Sequence, residues 1–232
     1  MNNNDRFNEL FIEFEEETKK KVKNKYLTLE KCIEELKNKR YNPYLREESF
    51  IDFCRKIRNI KFHGTNDHYF LITDDTIQKL EDIVNEVKHP FKIEHKATKN
   101  VFSANLHSNV RKIMREMDEK SYTHIPIYSD SSEKELVGVF SENSIFQSLI
   151  QKQTIEVRDS TTFEDIRTCI DLRNTKEVIK FVSRDKLYDD VVNDFIQEFK
   201  DKKKLSCVMV THHGTSKERV IGILTSWDVI GR

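Results

Sequence analysis

The second half of the chain contains two stretches with the same order of apolar and polar runs. Each has an apolar strand, a polar loop, a second apolar strand that contains a glycine, and then a hydroxyl residue; the strands are 125–128 and 136–140 in the first copy and 207–210 and 220–224 in the second. When Gly138 is set over Gly222, the two hairpins and their exits match. An internal repeat of this kind constrains the architecture more than any other sequence feature.

The residues around each hairpin complete the two copies. Val101–Phe102 and residues 180–182 are predicted as strands, and each precedes a segment with one apolar helical face, carried by Val110, Ile113, Met114 and Met117 in the first copy and by Val191, Val192, Phe195, Ile196 and Phe199 in the second. Each copy therefore reads β-α-β-β-α. Because one copy is too small to bury both faces of its sheet, we expect the two to pack as a pair.

The predicted bounds of the copies are 91–150 and 178–232. Residues 151–177 lie between them, and Thr161–Thr162 followed by Phe163, Ile166 and Ile170 predicts a short capped helix in this segment.

Residues 1–90 have a different pattern, with apolar residues at helical spacing and few glycine or proline residues. Amphipathic helices are predicted around 7–14, 29–36, 50–57 and 77–87. Thr73, followed by two aspartates, predicts the start of the last helix. Pro90 predicts its end, because the residue before a proline avoids the helical conformation. A helical bundle at residues 1–90 followed by two repeats gives an α+β fold class.

Composition narrows the classes of function. The chain has 40 Lys plus Arg and 40 Asp plus Glu, so its net charge is zero and it has no overall attraction for nucleic acid or anionic membranes. Each of the four cysteines lies alone in an apolar stretch, which indicates reduced core thiols. No stretch approaches the ~18 apolar residues of a membrane span, and the first residues lack a signal pattern. We expect a soluble, cytoplasmic protein with no membrane partner.

The last strand passes directly into a helix, with Thr225 at the junction and Asp228 three residues later. Free backbone N–H groups at the start of a helix attract a phosphate or a carboxylate. Asp228, one turn along the same face, has the two acceptor oxygens that a cis-diol needs. The alternative is structural: Thr225 caps the helix and Asp228 completes a capping box. Both interpretations can hold together, because a capped helix start is also a good anion site.

The repeated pattern resembles the tandem cystathionine-β-synthase (CBS) domain pair, or Bateman module. The resemblance covers roughly residues 93–232, on the strand THIPIY at 123–128 and the exits VGVFSENSIF at 137–146 and IGILTSWDVI at 221–230. It implies that Thr225 and Asp228 hold the ribose and phosphates of an adenine nucleotide as a regulatory ligand. AMP, ATP, S-adenosylmethionine and a cyclic dinucleotide all remain open. It also implies a homodimer, and no metal is predicted.

The first copy departs from the family pattern. Ser141 keeps the hydroxyl, but Ser144 stands where the ribose-binding aspartate is expected, so we expect one competent nucleotide site. The resemblance also implies that the adenine edge is read by the backbone near Lys204, Leu205 and Ser206 and by the strand around Phe181 to Ser183. In the last hairpin, His212, His213, Lys217 and Arg219 are either phosphate contacts or part of a solvated loop.

The third predicted helix ends with Arg58, Asn59 and His63 in the form R-N-x-x-x-H, followed by Gly64. Arginine can stabilise the charge that builds on a phosphate, and histidine can move the proton of a ribose 2′-hydroxyl. With the bundle pattern, this motif resembles HEPN domains, which include RNA-cleaving enzymes. The resemblance implies a metal-independent endoribonuclease that acts on RNA, with the motifs of two protomers meeting at a dimer interface.

The alternative for this helix is a solvated basic face, formed by Arg55, Lys56, Arg58 and Lys61, with His63 favoured by the helix dipole. His63 and His68 lack a clear third ligand for a metal. Three hypotheses follow: a nucleotide sensor that acts on the helical region, a ribonuclease gated by the repeats, and an interaction scaffold whose pocket binds nothing. The sensor is favoured because its residues lie in a repeated frame.

Overall fold

The structure is a computed structural model that describes residues 2–24, 26–63, 71–132, 135–150, 157–202 and 205–230; the side chains of residues 61–63, 148 and 230 lie outside this description. The chain divides into two compact units, Met1–Phe91 and Lys92–Arg232. Each unit has its own buried apolar residues.

The first unit is helical. Its helices are α1 (Asn3–Lys20), α2 (Leu29–Lys37), α3 (Pro43–Arg46), α4 (Glu48–His63) and α5 (Asp74–Lys88). The side chains of Asn2, Thr28, Asn42 and Thr73 cap α1, α2, α3 and α5, each by accepting a backbone N–H of the first turn. The predicted start of α5 at Thr73 and its predicted end before Pro90 are confirmed.

Apolar side chains from the predicted helical faces meet in the centre of this unit. Phe7, Phe11 and Phe14 of α1 are at most 1% exposed, and burying each ring stabilises the fold by about 2–3 kcal/mol. The Phe14 ring lies 5.9 Å from that of Tyr44, whose hydroxyl lies 3.2 Å from the hydroxyl of Thr18. The four predicted helices correspond to α1, α2, α4 and α5, while α3, a single turn that begins at a proline, was not predicted.

The second unit contains the two repeats. The first comprises β1 (Ala104–Asn105), α6 (Val110–Glu119), β2 (His124–Tyr128), β3 (Leu136–Ser141) and α7 (Glu142–Ile150); the second comprises β4 (Val178–Ser183), α9 (Tyr188–Lys200), β5 (Leu205–Thr211), β6 (Gly222–Thr225) and α10 (Ser226–Ile230). A 3-10 turn at Ile93–His95 precedes the first repeat, and α8 (Arg167–Ile170) lies between the two.

The two sheets have the same topology. Their strand orders are β1-β2-β3 and β4-β5-β6, with a parallel first pair and an antiparallel second pair in each. Gly138 lies opposite Ile127 in one sheet, and Gly222 lies opposite Val210 in the other. The predicted fold class, an α+β chain with a helical region followed by two β-α-β-β-α repeats, is confirmed.

The repeats pack directly against each other. Val139 of β3 belongs to one apolar cluster with Cys207, Met209 and Ile223 of the second repeat. The hydroxyl of Tyr128 accepts a hydrogen bond of 3.0 Å from the backbone N–H of Val220. These contacts join the two sheets through their cores.

Two local predictions need correction. Val101–Phe102 is not a strand: the first strand is Ala104–Asn105, because only there does the chain reach parallel pairing with Ile127 and Tyr128. The helix predicted from Thr161 begins only at Arg167, since Thr162 donates to Asp165 in a turn.

All four cysteines are buried and free of disulfides, as the sequence predicts. Burial raises the pKa of Cys54 to about 12, so its thiol stays protonated and unreactive. Within the described ranges, no helix is both long and apolar enough to cross a bilayer.

Candidate functional site

A cleft of about 540 Å³ lies between the two repeats. Its walls come from both halves: Thr98, Asn100, Val101, Phe102, Lys120, Ser121, Tyr122, Thr123 and His124 from the first repeat, and Ile223, Thr225, Trp227 and Asp228 from the second. The volume is within the range of small-molecule sites, and a mainly apolar wall with a few polar groups is also typical of such sites. We call this space the cleft.

The end of α6 shapes one wall of the cleft. Ser121 has a positive φ of 55°, and the backbone N–H of Tyr122 donates to the carbonyl of Met117 at 2.8 Å. This left-handed turn ends the helix and directs residues 122–124 along the cleft into β2. Asn100, on the neighbouring wall, also has a φ of 55°. Asparagine accepts this conformation more readily than most residues, so the turn costs little here.

Thr225 and Asp228 are joined by two hydrogen bonds. The backbone N–H and the hydroxyl of Thr225 both donate to Oδ2 of Asp228, at 2.8 and 2.9 Å. Thr225 is thus the N-cap of α10, and Asp228 supplies the reciprocal bond of a capping box. Within the described part of the chain, no partner is found for Oδ1 of Asp228. The capping and ligand-binding interpretations are therefore compatible: the cap fixes the carboxylate, and one oxygen remains for a ligand.

Aromatic rings line the opposite part of the cleft. The rings of Phe102 and Tyr122 stack with centroids 5.6 Å apart, and the ammonium of Lys120 lies 5.0 Å from the Phe102 ring centroid. Trp227 is 74% exposed although it is a large apolar side chain. Stacked rings beside an ammonium suit a flat heterocycle that carries negative charge.

The first repeat has a different arrangement at the equivalent position. Ser141 lies opposite His124 in its sheet, as Thr225 lies opposite Cys207 in the other. The Ser141 hydroxyl donates to Oε2 of Glu177 at 2.7 Å, and its backbone N–H donates to the hydroxyl of Ser144 at 3.0 Å. A buried carboxylate therefore already lies at the end of this strand.

Two further groups of the first repeat hold Glu177. The side-chain amide of Asn143 donates to Oε1 at 2.8 Å, and Nε2 of His124 lies 3.5 Å from the same oxygen. Burial by itself raises the pKa of Glu177, but His124, Asn143 and Ser141 outweigh it and lower the pKa to about 2. The carboxylate is therefore ionised at neutral pH.

The remaining predicted ligand residues lie elsewhere. Leu205 and Ser206 are buried in β5, at 5% and 4% exposure, and neither lines the cleft. The hydroxyl of Ser183 donates to the carbonyl of His212 at 3.2 Å. Lys204 lies outside the described residues. The cleft is bounded instead by the corresponding segments of the first repeat, 98–102 and 120–124.

The candidate phosphate contacts of the last hairpin also lie away from the cleft. The imidazole of His213 pairs with Glu218, and Arg219 lines a separate, smaller pocket with Asn100 and Ser103. Among the described side chains, no group of three His, Cys, Asp or Glu residues could hold a metal ion.

The candidate nuclease residues lie on α4 in the helical unit. One guanidinium nitrogen of Arg58 is 3.4 Å from a carboxylate oxygen of Glu15, and its guanidinium carbon lies 5.6 Å from the Phe11 ring centroid. Asn59 is exposed. The side chain of His63 and all of Gly64 lie outside the described residues. Arg58 therefore packs on α1.

Three side chains at these positions were not predicted from the sequence: Lys120 and His124, which line the cleft, and Glu177, which bonds Ser141 in the first repeat. His124 lies within the stretch THIPIY that defined the repeat and Lys120 lies just before it, so locating the same segments in both copies could have identified them. No local signal marks Glu177, which lies in the segment between the copies.

Comparison with known proteins gives a family match for the first repeat. Residues 93–151, about a quarter of the chain, match the family model described as CBS domain. No curated protein matches the chain.

Solved structures with a similar arrangement include the CBS domain pair of protein MJ0100 in complex with 5′-methylthioadenosine and S-adenosyl-L-methionine. It is 23% identical, with a TM-score of 0.42, and the match covers 60% of this chain and 93% of that one. Others are AcuB from Vibrio cholerae (18%, TM-score 0.43, 61% and 89% covered) and CBSX2 in complex with AMP (19%, TM-score 0.39, 61% and 94% covered). Similarity at this level says nothing about the ligand of this chain.

Proposed function

We propose that the two repeats form a CBS pair that binds one adenine nucleotide in the cleft and acts as a cytoplasmic regulatory sensor. The observation that carries the proposal is the position of Thr225 and Asp228, which face the same cleft as the aromatic wall of the other repeat. The family match of residues 93–151 supports it.

Each part of the cleft suits one part of such a ligand. The rings of Phe102, Tyr122 and Trp227 provide faces for adenine. Oδ1 of Asp228 is placed to accept from a ribose hydroxyl, because the capping bonds to Thr225 use Oδ2. The ammonium of Lys120 supplies positive charge for a phosphate.

A ligand in this cleft touches both repeats, so it stabilises the arrangement in which they close on it. Such a ligand shifts a conformational equilibrium by the difference between its affinities for the two states. We propose that this shift is passed to the helical unit or to a partner. The homodimer belongs to the same proposal, and exposed apolar side chains on α7 support it: Phe146, Leu149 and Ile150 are 56–61% exposed.

The chain's only tryptophan, Trp227, lies in the cleft and reports binding by fluorescence. AMP, ATP, S-adenosylmethionine and a cyclic dinucleotide should be titrated, with GMP as the control for the base. We expect Asp228→Asn to weaken AMP binding roughly 10- to 100-fold, the effect of losing a hydrogen bond to a charged group. Asn retains one acceptor oxygen for the cap, so folding should be largely preserved.

Two controls separate ribose recognition from general damage. Ser144→Ala changes the equivalent residue of the first repeat and should leave AMP binding unchanged. The 2′-deoxy analogue of AMP should show a smaller difference in affinity between wild type and Asp228→Asn than AMP does, since it lacks one of the two hydroxyls that Asp228 is proposed to bind. Equal AMP affinity in wild type and Asp228→Asn would contradict the assigned role. No binding of any adenosine compound would favour the scaffold hypothesis.

The ribonuclease remains a second hypothesis, and the contacts of Arg58 with Glu15 and Phe11 do not favour it. A metal-free RNA cleavage assay of wild type, Arg58→Ala and His63→Ala tests it. Equal cleavage by all three would assign the activity to a contaminant.

A further inference from the structure

Three side chains of the first repeat surround one carboxylate, that of Glu177, which lies just before the second repeat begins. The hydroxyl of Ser141 donates to Oε2 of Glu177 and the side-chain amide of Asn143 donates to Oε1, while Nε2 of His124 lies 3.5 Å from Oε1 without forming a hydrogen bond. Donors on both oxygens are what a protein offers to a bound carboxylate ligand. We call these four residues the buried carboxylate site.

The backbone that carries Glu177 is itself fixed. Its N–H donates to the hydroxyl of Thr175 at 3.1 Å, and the N–H of Lys176 donates to the side-chain oxygen of Gln147 on α7 at 2.9 Å. The Glu177 side chain is only 5% exposed and that of His124 10% exposed. The carboxylate is therefore held in place from both ends, unlike a surface ion pair, which solvent screens.

The side chains around Glu177 are positioned by elements of the first repeat. Ser141 and Asn143 are placed by the end of β3 and the start of α7, and His124 by β2, all within the first repeat. The hydroxyl of Ser141 has the same place in its sheet as Thr225 has in the other. In one repeat this hydroxyl faces the open cleft, and in the other it holds a carboxylate from a segment 36 residues away.

We propose that Glu177 is an internal ligand of the first repeat, which fills a binding site for a small carboxylate anion. Removing the side chain beyond Cβ should leave a site that takes up acetate, because Glu177→Ala deletes one methylene and one carboxylate. This inference does not depend on nucleotide binding at the cleft.

The experiment is chemical rescue of stability in the full-length chain at pH 7. The melting temperature of Glu177→Ala should rise saturably with sodium acetate, beyond any effect of equal sodium chloride, because a ligand stabilises the state that binds it. Formate should rescue less and butyrate should fail, since the space fits two carbons. Wild type and Glu177→Gln should not respond, because their sites stay filled. Identical responses of Glu177→Ala to acetate and chloride would overturn the proposal.

A double-mutant cycle keeps the proposal testable if Glu177→Ala does not fold. Unfolding equilibrium constants of wild type, Ser141→Ala, Glu177→Gln and the double variant should show coupling of about 10-fold or more, as for a buried hydrogen bond to a charged group. Additive effects would mean that Ser141 does not hold the carboxylate, and the internal ligand would be refuted. Since neither test uses a nucleotide, both can fail or succeed independently of the proposed sensor.

Discussion

The equivalent glycines of the two hairpins should differ sharply in their tolerance of a side chain. A Cβ at Gly138 would lie 2.1 Å from the carbonyl oxygen of Ile170 and 2.7 Å from its carbonyl carbon. Van der Waals contact requires about 3.5 Å, so the backbone of α8 must move. A Cβ at Gly222 would lie 3.0 Å from the Cβ of Ala97, a methyl group that needs to shift by only a few tenths of an ångström.

These distances set the expected magnitudes. Overpacking against fixed backbone costs about 3 kcal/mol, which lowers the melting temperature of a unit of this size by about 6–12 °C. At Gly222, the mild contact is partly offset by the smaller conformational entropy that alanine loses on folding, so Gly222→Ala should change stability by about 1 kcal/mol or less.

The assay is thermal unfolding of the full-length chain by circular dichroism. Hydrogen exchange of peptides from β3 and β6 would assign each change to the second unit. Gly138→Ala should speed hydrogen exchange in β3 and in α8. Gly222→Ala should leave the exchange rates of β3 and α8 near those of wild type. If both variants lost the same stability, or Gly222→Ala lost more, the close approach of Gly138 to Ile170 would be refuted.

Other predictions concern single side chains. His124, Asn143 and Ser141 outweigh burial and lower the pKa of Glu177 from an ordinary 4.5 to about 2. The stabilisation from this carboxylate, on the order of 3 kcal/mol, is therefore complete above pH 4.5 and is lost as pH falls towards 2, and acid unfolding of Glu177→Gln should lack this loss. Thr225→Val removes the hydroxyl bond to Asp228 and should cost about 1 kcal/mol by urea unfolding, with no change if the cap is unimportant. Arg58→Ala should lower the stability of the helical unit, whereas an effect on RNA cleavage without loss of stability would contradict its packing role.

The architecture could be predicted because its signals are local and occur twice. The apolar runs of β2, β3, β5 and β6 and the glycine in each hairpin are visible in the chain itself. The first strand was misplaced because an apolar pair at Val101–Phe102 resembles a strand. Pairing with Ile127 and Tyr128 decides the true position at Ala104–Asn105, and that pairing depends on distant residues.

Part of the geometry of the candidate cleft could be predicted for the same reason. Thr225 and Asp228 are neighbours on one helix start, so their proximity follows from sequence spacing. The other wall depends on which copy packs against this helix start. The family resemblance implied an adenine contact from the backbone near Lys204–Ser206 and from the strand around Phe181–Ser183, whereas the cleft beside Thr225 is lined by residues of the first repeat, within 98–102 and 120–124.

In both repeats, the hydroxyl at the end of the last strand donates a hydrogen bond to a carboxylate. The two carboxylates come from different parts of the chain. In the second repeat the carboxylate is that of Asp228, one helical turn away, so the bond to Thr225 stays local and the cleft beside it is left open. In the first repeat the residue at the position of Asp228 is the uncharged Ser144, and the carboxylate comes from Glu177, in the segment that precedes the second repeat. The two equivalent hydroxyls therefore have carboxylate partners from different parts of the chain, one from the adjoining helix and one from 36 residues away.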